Sequence, residues 1–306
     1  MGEVAGACFC CSFDELVQTA SDFATGNDGH PPPDVILAEP VGSCTDLIAT
    51  TLLPLREYYG DRFDVAPFGV LVKPSHVARV LAGDEDRRSG FSPQAEYILR
   101  KQIEEADYLM IGRADVLSDA DREHLRTLLA DTAPDVPILT VSPRRGDGVD
   151  DVMGRIESSM ESGRRVLDID YDTYADGEAE MGWVNASVAF RADTPVELDR
   201  FAVDLVTVIA GGCTGAIAHL KTSVRGGDAL SVANAVDSYG GIDLGLRSDR
   251  TATGTIETIV NARVAQDPEQ LAATIESGCR ASGLTVTTYR ATHLRPGRPE
   301  PVHRFS

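Results

Sequence analysis

Asp34-Val35-Ile36-Leu37-Ala38-Glu39-Pro40-Val41-Gly42 is the stretch that decides the predicted fold. Its apolar run is short and continuous, as in strands that are buried on both faces of a parallel sheet. A glycine turn follows the acid, and a helix is predicted from about Ser43 to Tyr59. Because ligands of open α/β sheets collect at the carboxyl ends of the strands, we expect Glu39 at the mouth of a binding site. Gly42 would let the backbone turn close to the ligand.

The rest of the N-terminal half repeats this alternation of strand and helix. Strands are predicted over Val65–Lys73, Asp107–Ile111 and Pro137–Val141, and helices over Pro93–Glu105, Asp119–Ala130 and Gly148–Ser162, with a charged loop at Gly83–Ser92. Strands that alternate with helices of this length indicate βαβ units and a mostly parallel sheet. This half is therefore predicted to be an α/β domain over residues 1–164.

The pattern changes near residue 165. Alternating apolar and polar residues predict half-buried strands, and the predicted order is strands at Val166–Asp172 and Gly182–Arg191, a helix at Pro195–Ala210, strands at Ala216–Val224, Leu230–Val236 and Glu257–Val264, a helix at Pro268–Ser282 and a strand at Leu284–Ala291. This order predicts a smaller α+β, ferredoxin-like domain over residues 165–294. The proline-containing segment 295–306 is predicted to be a flexible tail.

Charge excludes one class of partner. The 306 residues include 48 acids and 28 bases, for a net charge of −20. A surface of this sign repels phosphate backbones, so nucleic acid is not an expected partner. Acid-rich surfaces with few lysines suit proteins that stay soluble in high salt, so we expect a halophilic source.

The six cysteines indicate a reducing compartment. The chain is large, no signal peptide precedes the cysteines and two of them are adjacent, which does not fit a secreted disulfide framework. No apolar run approaches the roughly 18 residues that a membrane span needs. A soluble, cytoplasmic protein without membrane association is expected.

Three of the thiols lie within four residues, at Cys8, Cys10 and Cys11. Free cysteine is often small buried filler, but a cluster this dense after a glycine favours a transition-metal site, since thiolates prefer zinc and similar ions. The fourth ligand position is left open by the sequence: water, Glu39, Cys44 or a residue of a partner would fit. Cys44 is equally well interpreted as a helix-start residue packed on the sheet.

Four segments in this order resemble the CobW-type GTP-binding proteins, the metallochaperone branch of the P-loop GTPases with the HypB and UreG relatives. They are Gly6-Ala-Cys8-Phe-Cys10-Cys11, Asp34–Gly42, Ala106-Asp-Tyr-Leu-Met-Ile-Gly112-Arg113-Ala114-Asp115 and Val141-Ser142-Pro-Arg-Arg-Gly-Asp-Gly148. The resemblance implies that the N-terminal domain is a P-loop GTPase-like fold, with GTP and magnesium as cofactors of the full-length family.

The resemblance also implies roles for single residues. Cys8, Cys10 and Cys11 would bind zinc or cobalt. Glu39 would be catalytic and would couple the metal to the nucleotide, and Gly42 would lie near the γ-phosphate. Arg113 and Asp115 would belong to the guanine-reading loop, and Ser142 would begin the loop that closes over the base.

Two departures from the family pattern affect the expected activity. Gly112 and Arg113 replace the asparagine and lysine of the guanine loop, so the asparagine contact to the base is lost. The phosphate-binding loop Gly-x-x-x-x-Gly-Lys-Ser/Thr is absent from the sequence, and without it nothing positions the β- and γ-phosphates or magnesium. We expect that a start codon was assigned too late, or that the protein was truly shortened. In either case this chain alone is not expected to hydrolyse GTP.

The leading hypothesis is a CobW-like metal chaperone or insertase for zinc or cobalt, whose C-terminal domain docks a client metalloprotein. The alternative is a non-enzymatic metal- or partner-binding module with structural or redox cysteines. The sequence leaves the oligomeric state open.

Overall fold

The computed structural model describes residues 4, 8–26, 31–82, 92–158, 162–235 and 241–306. Gly6 of the cysteine segment, most of the predicted loop Gly83–Ser92, part of the predicted helix Gly148–Ser162 and Val236 lie outside these residues. The chain divides into two compact units. Unit 1 comprises Met1–Ala175 and Arg298–Ser306, and unit 2 comprises Asp176–Gly297.

Unit 1 contains a three-stranded parallel sheet in the order β1-β2-β3. The strands are β1 (Gly69–Val72), β2 (Tyr108–Ile111) and β3 (Ile138–Thr140). The helices are α1 (Phe13–Thr25), α2 (Leu53–Tyr59), α3 (Pro74–Leu81), α4 (Pro93–Glu105), α5 (Asp119–Thr132) and α6 (Val149–Ile156), with a π-helical turn at Ile48–Leu52 before α2 and a 3₁₀ turn at Ala114–Val116. The predicted alternation of strand and helix from Val65 onward is confirmed.

Local sequence explains where the helices of unit 1 begin. The Ser92 hydroxyl accepts a hydrogen bond from the Ala95 N–H and caps α4. Ser118 and Asp121 form a reciprocal capping box at the start of α5, which satisfies backbone donors that a helix start leaves without partners. One face of these helices is apolar and packs on the sheet, so that Leu109, Ile111 and Leu129 are fully buried in one core.

Two predicted strands that fall in unit 1 are wrong, the second of which was assigned to the C-terminal domain. Residues 31–46 contain neither helix nor strand, so the predicted strand Asp34–Glu39 is an extended coil in which Leu37 is 78% exposed. The predicted strand Val166–Asp172 is coil followed by α7 (Tyr171–Ala179). Here the Asp170 carboxylate accepts hydrogen bonds from the Asp172 and Thr173 N–H groups. This N-cap interaction starts a helix where the alternating pattern favoured a strand.

Unit 2 is built on a six-stranded antiparallel sheet in the order β7-β6-β5-β8-β4-β9. Its elements are β4 (Gly182–Glu197), α8 (Leu198–Gly212), β5 (Ile217–Gly226), β6 (Ala229–Ala235), β7 (Ile242–Leu246), β8 (Thr251–Val264), α9 (Pro268–Arg280) and β9 (Thr285–Leu294). Every second residue of β4 from Gly182 to Ala192 is buried, which is the alternation that predicted a half-buried strand. The core lies between the sheet and α8 with α9.

The mixed α/β class is confirmed: a parallel sheet comes first and an antiparallel α+β unit follows. Strands β4, β5, β8 and β9 with α8 and α9 follow the βαββαβ order of the predicted arrangement, and β6 and β7 extend the sheet beyond β5. Within the described part of the chain, no helix combines the length and apolar character that crossing a bilayer requires.

Candidate metal site

The three cysteines of the N-terminal segment meet in space. The Sγ atom of Cys8 lies 2.8 Å from that of Cys10 and 3.3 Å from that of Cys11, and the Cys10 and Cys11 sulfurs are 3.7 Å apart. Cys10 is buried, and Cys8 and Cys11 are partly buried. In the described part of the chain, these three cysteines form a group of potential metal ligands whose donor atoms all lie within 4.8 Å of one another. We refer to it as the thiol cluster.

A tight turn brings the sulfurs together. The Cys8 carbonyl accepts hydrogen bonds from the Cys11 N–H at 3.1 Å and the Ser12 N–H at 3.0 Å, and α1 begins at the next residue. Phe13, the first residue of α1, is buried and anchors the turn. The segment from Cys8 to Cys11 therefore folds back on itself, and the Cys10 sulfur lies beside those of Cys8 and Cys11.

The C-terminal segment completes the surroundings of the cluster. The Val302 N–H donates to the Cys10 carbonyl at 2.9 Å, and the Glu300 N–H donates to the Cys11 sulfur at 3.3 Å. The His303 ring packs edge-on against Phe13, with 5.0 Å between centroids. The end of the chain, which the prolines predict to be a flexible tail, lies against the thiol cluster. Phe305, which is partly buried, was the sequence signal for this packing, because a solvated tail has little use for a large apolar residue.

The three thiols differ in acidity. Hydrogen bonds from the Cys10 and Cys44 thiols hold the pKa of Cys8 far below its ordinary value. The hydrogen bond to Cys8 and burial raise the pKa of Cys10, and burial followed by the hydrogen bond to Cys8 raises the pKa of Cys11. The three thiols are therefore unequal, and Cys8 is the most acidic of them.

This donor set fits a soft or borderline divalent metal. With Zn–S bonds of about 2.3 Å, the sulfur–sulfur edges of a tetrahedral site measure about 3.8 Å. The Cys10–Cys11 distance of 3.7 Å already matches, and the two shorter distances would lengthen as the ion replaces the protons that the sulfurs share. A bound ion would hold all three sulfurs as thiolates, and the N–H group of Glu300 already points at one of them.

Glu39 is not brought into the thiol cluster. It is exposed and lies in the coil that replaces the predicted strand, and its carboxylate is not among the donor atoms that group with the three sulfurs. Gly42 is also exposed, in a turn of the same coil. Cys44, two residues later, is 2% exposed.

Asp115 and Ser142, two of the residues expected to read the base, lie side by side. Asp115 lies in the 3₁₀ turn after β2, and Ser142 is fully buried after β3. The Ser142 hydroxyl donates to the Asp115 carboxylate at 2.9 Å, and this hydrogen bond lowers the pKa of Asp115. Arg113 adopts a left-handed conformation, with φ of 58°. Both predicted loops thus lie at the carboxyl edge of the parallel sheet, where ligands of such sheets bind.

Asp46 is a buried acid that the sequence did not single out. It is 1% exposed and has a positive φ of 63°. Its carboxylate accepts hydrogen bonds from the Tyr171 hydroxyl at 2.7 Å and from Nε of Arg304 at 2.8 Å. Asp46 therefore holds the C-terminal segment, which in turn touches the thiol cluster. The pairing joins residues far apart in sequence, so no local pattern could have predicted it.

Comparison with known proteins does not assign this chain to a family. No family model matches the chain, and no curated protein matches it. The solved structures that match include the Zn(II)-bound YjiA GTPase from E. coli, at 13% identity, and a Zn(II)-bound triple mutant of YjiA, at 14%. Each alignment covers 74% of this chain and 66% of the other, with a TM-score of 0.22. The chain thus spans just under two thirds of the length of these structures, and a likeness of this size does not establish a shared fold.

Proposed function

We propose that this chain is a metal-binding protein of the CobW type, in which Cys8, Cys10 and Cys11 hold one zinc or cobalt ion for delivery to a client protein. The observation that carries the proposal is the thiol cluster, whose donor atoms all lie within 4.8 Å of one another. Thiolates select zinc and similar ions over magnesium and calcium. Partial exposure of Cys8 and Cys11 gives an ion a route in and out.

A titration with a chromophoric chelator in competition for Zn²⁺ tests this proposal. The wild-type chain is expected to withdraw one equivalent of zinc from the chelator. Changing Cys8, Cys10 and Cys11 together to serine should abolish this. The matched control is Cys213→Ser, which removes a half-buried thiol of unit 2 and should leave the titration unchanged. A wild-type chain that withdraws no zinc would refute the proposal.

A nucleotide-binding role for the sheet edge is the second part of the proposal. The Asp115–Ser142 hydrogen bond supports it, since it places the two expected base-binding loops side by side. In this role the Arg113 side chain covers the base, and Glu39 and Gly42 lie near the γ-phosphate. Hydrolysis is not proposed for this sequence, because it contains no Gly-x-x-x-x-Gly-Lys-Ser/Thr. Binding of a fluorescent GTP analogue, weakened by Asp115→Ala, with no phosphate release above background, is the expected result.

Unit 2 is proposed to dock the client metalloprotein. A separately purified metal acceptor would then withdraw zinc from the full chain faster than a small chelator of equal affinity does. Equal rates would remove the docking role and leave metal binding untouched.

A redox module is the second candidate, and the Cys8–Cys11 pair favours it. Two thiols at Cys-x-x-Cys spacing, with sulfurs 3.3 Å apart and a lowered pKa on Cys8, are arranged for disulfide exchange. Incubation with oxidised glutathione, followed by peptide mass mapping, distinguishes the two candidates. A Cys8–Cys11 disulfide that forms equally fast with and without zinc supports the redox module, whereas full protection by zinc supports the metal site.

A further inference from the structure

The sheet of unit 2 has one face turned away from α8 and α9, which pack with the opposite face to form the core. Every second residue of β5 from Leu220 to Val224 is buried on the core side. Because side chains alternate along a strand, Lys221, Ser223 and Arg225 point the other way. We refer to the side of the sheet that carries these three residues as the outer face.

Ile259 of β8 lies in the middle of the outer face. It is 51% exposed, which is unusual for a large aliphatic side chain on a central strand. The register places it opposite Ser223 of β5 on one side and Ser187 of β4 on the other. Lys221 and Arg225, on either side of Ser223, are therefore its diagonal neighbours, about 7–8 Å away. Two cations thus flank an exposed apolar side chain.

Two more cations belong to the outer face. Arg290 of β9 pairs with Ser187 and therefore lies two strands from Ile259, about 10 Å away. Arg263 lies on β8 itself, and its guanidinium group lies over the ring of Trp183, 4.3 Å from the ring centroid. Ile259 is therefore surrounded by basic side chains on three strands.

The charge of this part of the sheet is opposite to that of the chain. Between Arg263 at one end of the outer face and Arg225 at the other, the described strand residues include two acids. Glu257 lies opposite Arg225, and Asp243 lies on the edge strand β7. Four cations against two acids leave a charge of +2 (4 − 2), whereas the whole chain carries −20.

An apolar centre with charged groups around it is the usual anatomy of a protein-docking surface. The complementary partner has carboxylates on either side of one apolar side chain. A single-stranded nucleic acid fits less well, because sheets that bind RNA stack its bases on exposed aromatic rings. On the outer face the ring of Trp183 is already covered by Arg263.

From this arrangement we propose that the outer face of unit 2 binds an acidic segment of the client protein. An apolar side chain of the segment packs on Ile259, and its carboxylates pair with Lys221, Arg225 and Arg290. The inference rests on the proposed docking role of unit 2 and adds the surface and the chemistry of the partner. Because the remainder of the chain is strongly negative, an acidic partner is steered to this face in preference to others.

Binding of a short dye-labelled peptide, with glutamates around one leucine, tests the proposal on the full chain by fluorescence anisotropy. The wild type should bind this peptide, less tightly as salt is added, and should not bind the same peptide with glutamine for glutamate. Lys221→Glu combined with Arg290→Glu should bind at least about tenfold more weakly. The matched control is Arg200→Glu with Arg280→Glu, which changes the net charge equally on α8 and α9 and should bind as the wild type does.

Cross-linking of the wild type alone covers the case in which charge reversal disturbs folding. The chain has three lysines, Lys73, Lys101 and Lys221, and of these Lys221 belongs to unit 2. A carbodiimide joins a carboxylate to a lysine amine that touches it, forming an amide while the reagent takes up the water as a urea. Peptide mapping should therefore find the glutamate peptide on Lys221. Its attachment to Lys73 or Lys101 in place of Lys221 would overturn the proposal.

Other outcomes also decide the matter. Equal binding of the glutamate and glutamine peptides, or equal binding by the wild type and the variant reversed at Lys221 and Arg290, would overturn the proposal. A uridine oligonucleotide that displaces the peptide at a lower concentration than the unlabelled peptide does would assign the outer face to nucleic acid instead. Since these measurements need no metal, their failure leaves the zinc site standing. Peptide binding by a chain that withdraws no zinc would keep the docking surface and refute the metal site.

Discussion

Removing Arg304 should release the C-terminal segment from unit 1. Nε of Arg304 donates to the carboxylate of Asp46, which is 2% exposed, while the arginine side chain is 35% exposed. Arg304→Ala leaves the Asp46 charge buried with the Tyr171 hydroxyl as its remaining side-chain partner in the described structure. Breaking a fully buried pair costs about 3–5 kcal/mol. Arg304 is partly exposed to water, so the smaller energy of a hydrogen bond to a charged group applies in place of that of a fully buried ion pair. We therefore expect Arg304→Ala to destabilise the C-terminal segment by about 2 kcal/mol.

Hydrogen exchange of the C-terminal peptide measures this loss directly. The N–H groups of Val302 and Phe305 are hydrogen-bonded to the carbonyls of Cys10 and Ala49, so their exchange reports local opening. A loss of about 2 kcal/mol corresponds to exchange about 30-fold faster, since about 1.4 kcal/mol is a factor of ten. The effect should be confined to unit 1. Trp183, the single tryptophan, lies in unit 2. The urea midpoint that its fluorescence reports should therefore be the same in Arg304→Ala as in the wild type.

Arg298→Ala is the matched control, because it removes an arginine from the same segment. Its partner Asp172 is 81% exposed and the arginine 51% exposed. Exposed pairs contribute at most about 1 kcal/mol and often nothing measurable. Exchange of the C-terminal peptide should therefore change little. If Arg304→Ala and Arg298→Ala gave equal exchange rates, Asp46 would not be what holds the segment.

Two further predictions concern unit 1. Burial raises the pKa of Glu105 from 4.5 to about 8, and the hydrogen bond from the Ile48 N–H opposes the rise. Between these two pH values the folded state keeps a proton that the unfolded state has lost, so the free energy of unfolding should fall as pH rises from 4.5 to about 8. Glu105→Gln should flatten this part of the plot of urea midpoint against pH. Gly148 has φ of 74°, and a Cβ there would lie 2.2 Å from the Thr140 carbonyl oxygen, whereas Gly146 has φ of 81° and open space. Gly148→Ala should therefore lower the free energy of unfolding by more than Gly146→Ala, for which backbone strain alone costs about 1–3 kcal/mol. Equal urea midpoints for the two variants would contradict the steric argument.

Periodicity and capping residues were enough to predict most elements from Val65 onward. Apolar runs such as that of β2 pack between helices, as the sequence indicated. The run Val35–Leu37 looks the same in sequence but is exposed and unpaired with any described strand. A short apolar run predicts a strand only where a neighbouring strand and covering helices exist, and the sequence does not say which runs have them.

The site was predicted in part for the same reason. The spacing of Cys8, Cys10 and Cys11 within one turn is local, so a cluster could be expected from the sequence. The contacts of the C-terminal segment with the cluster depend on tertiary folding. The sequence left the fourth ligand position open among water, Glu39, Cys44 and a residue of a partner, because none of these lies next to the three cysteines in the chain.

The most direct test of the metal site is native mass spectrometry of the chain after equilibration with zinc and removal of loosely bound ions. The account predicts one zinc per chain in the wild type and in Cys213→Ser, and none in the variant with serine at positions 8, 10 and 11. A wild-type chain that carries no zinc, or a serine variant that keeps it, would contradict the central claim.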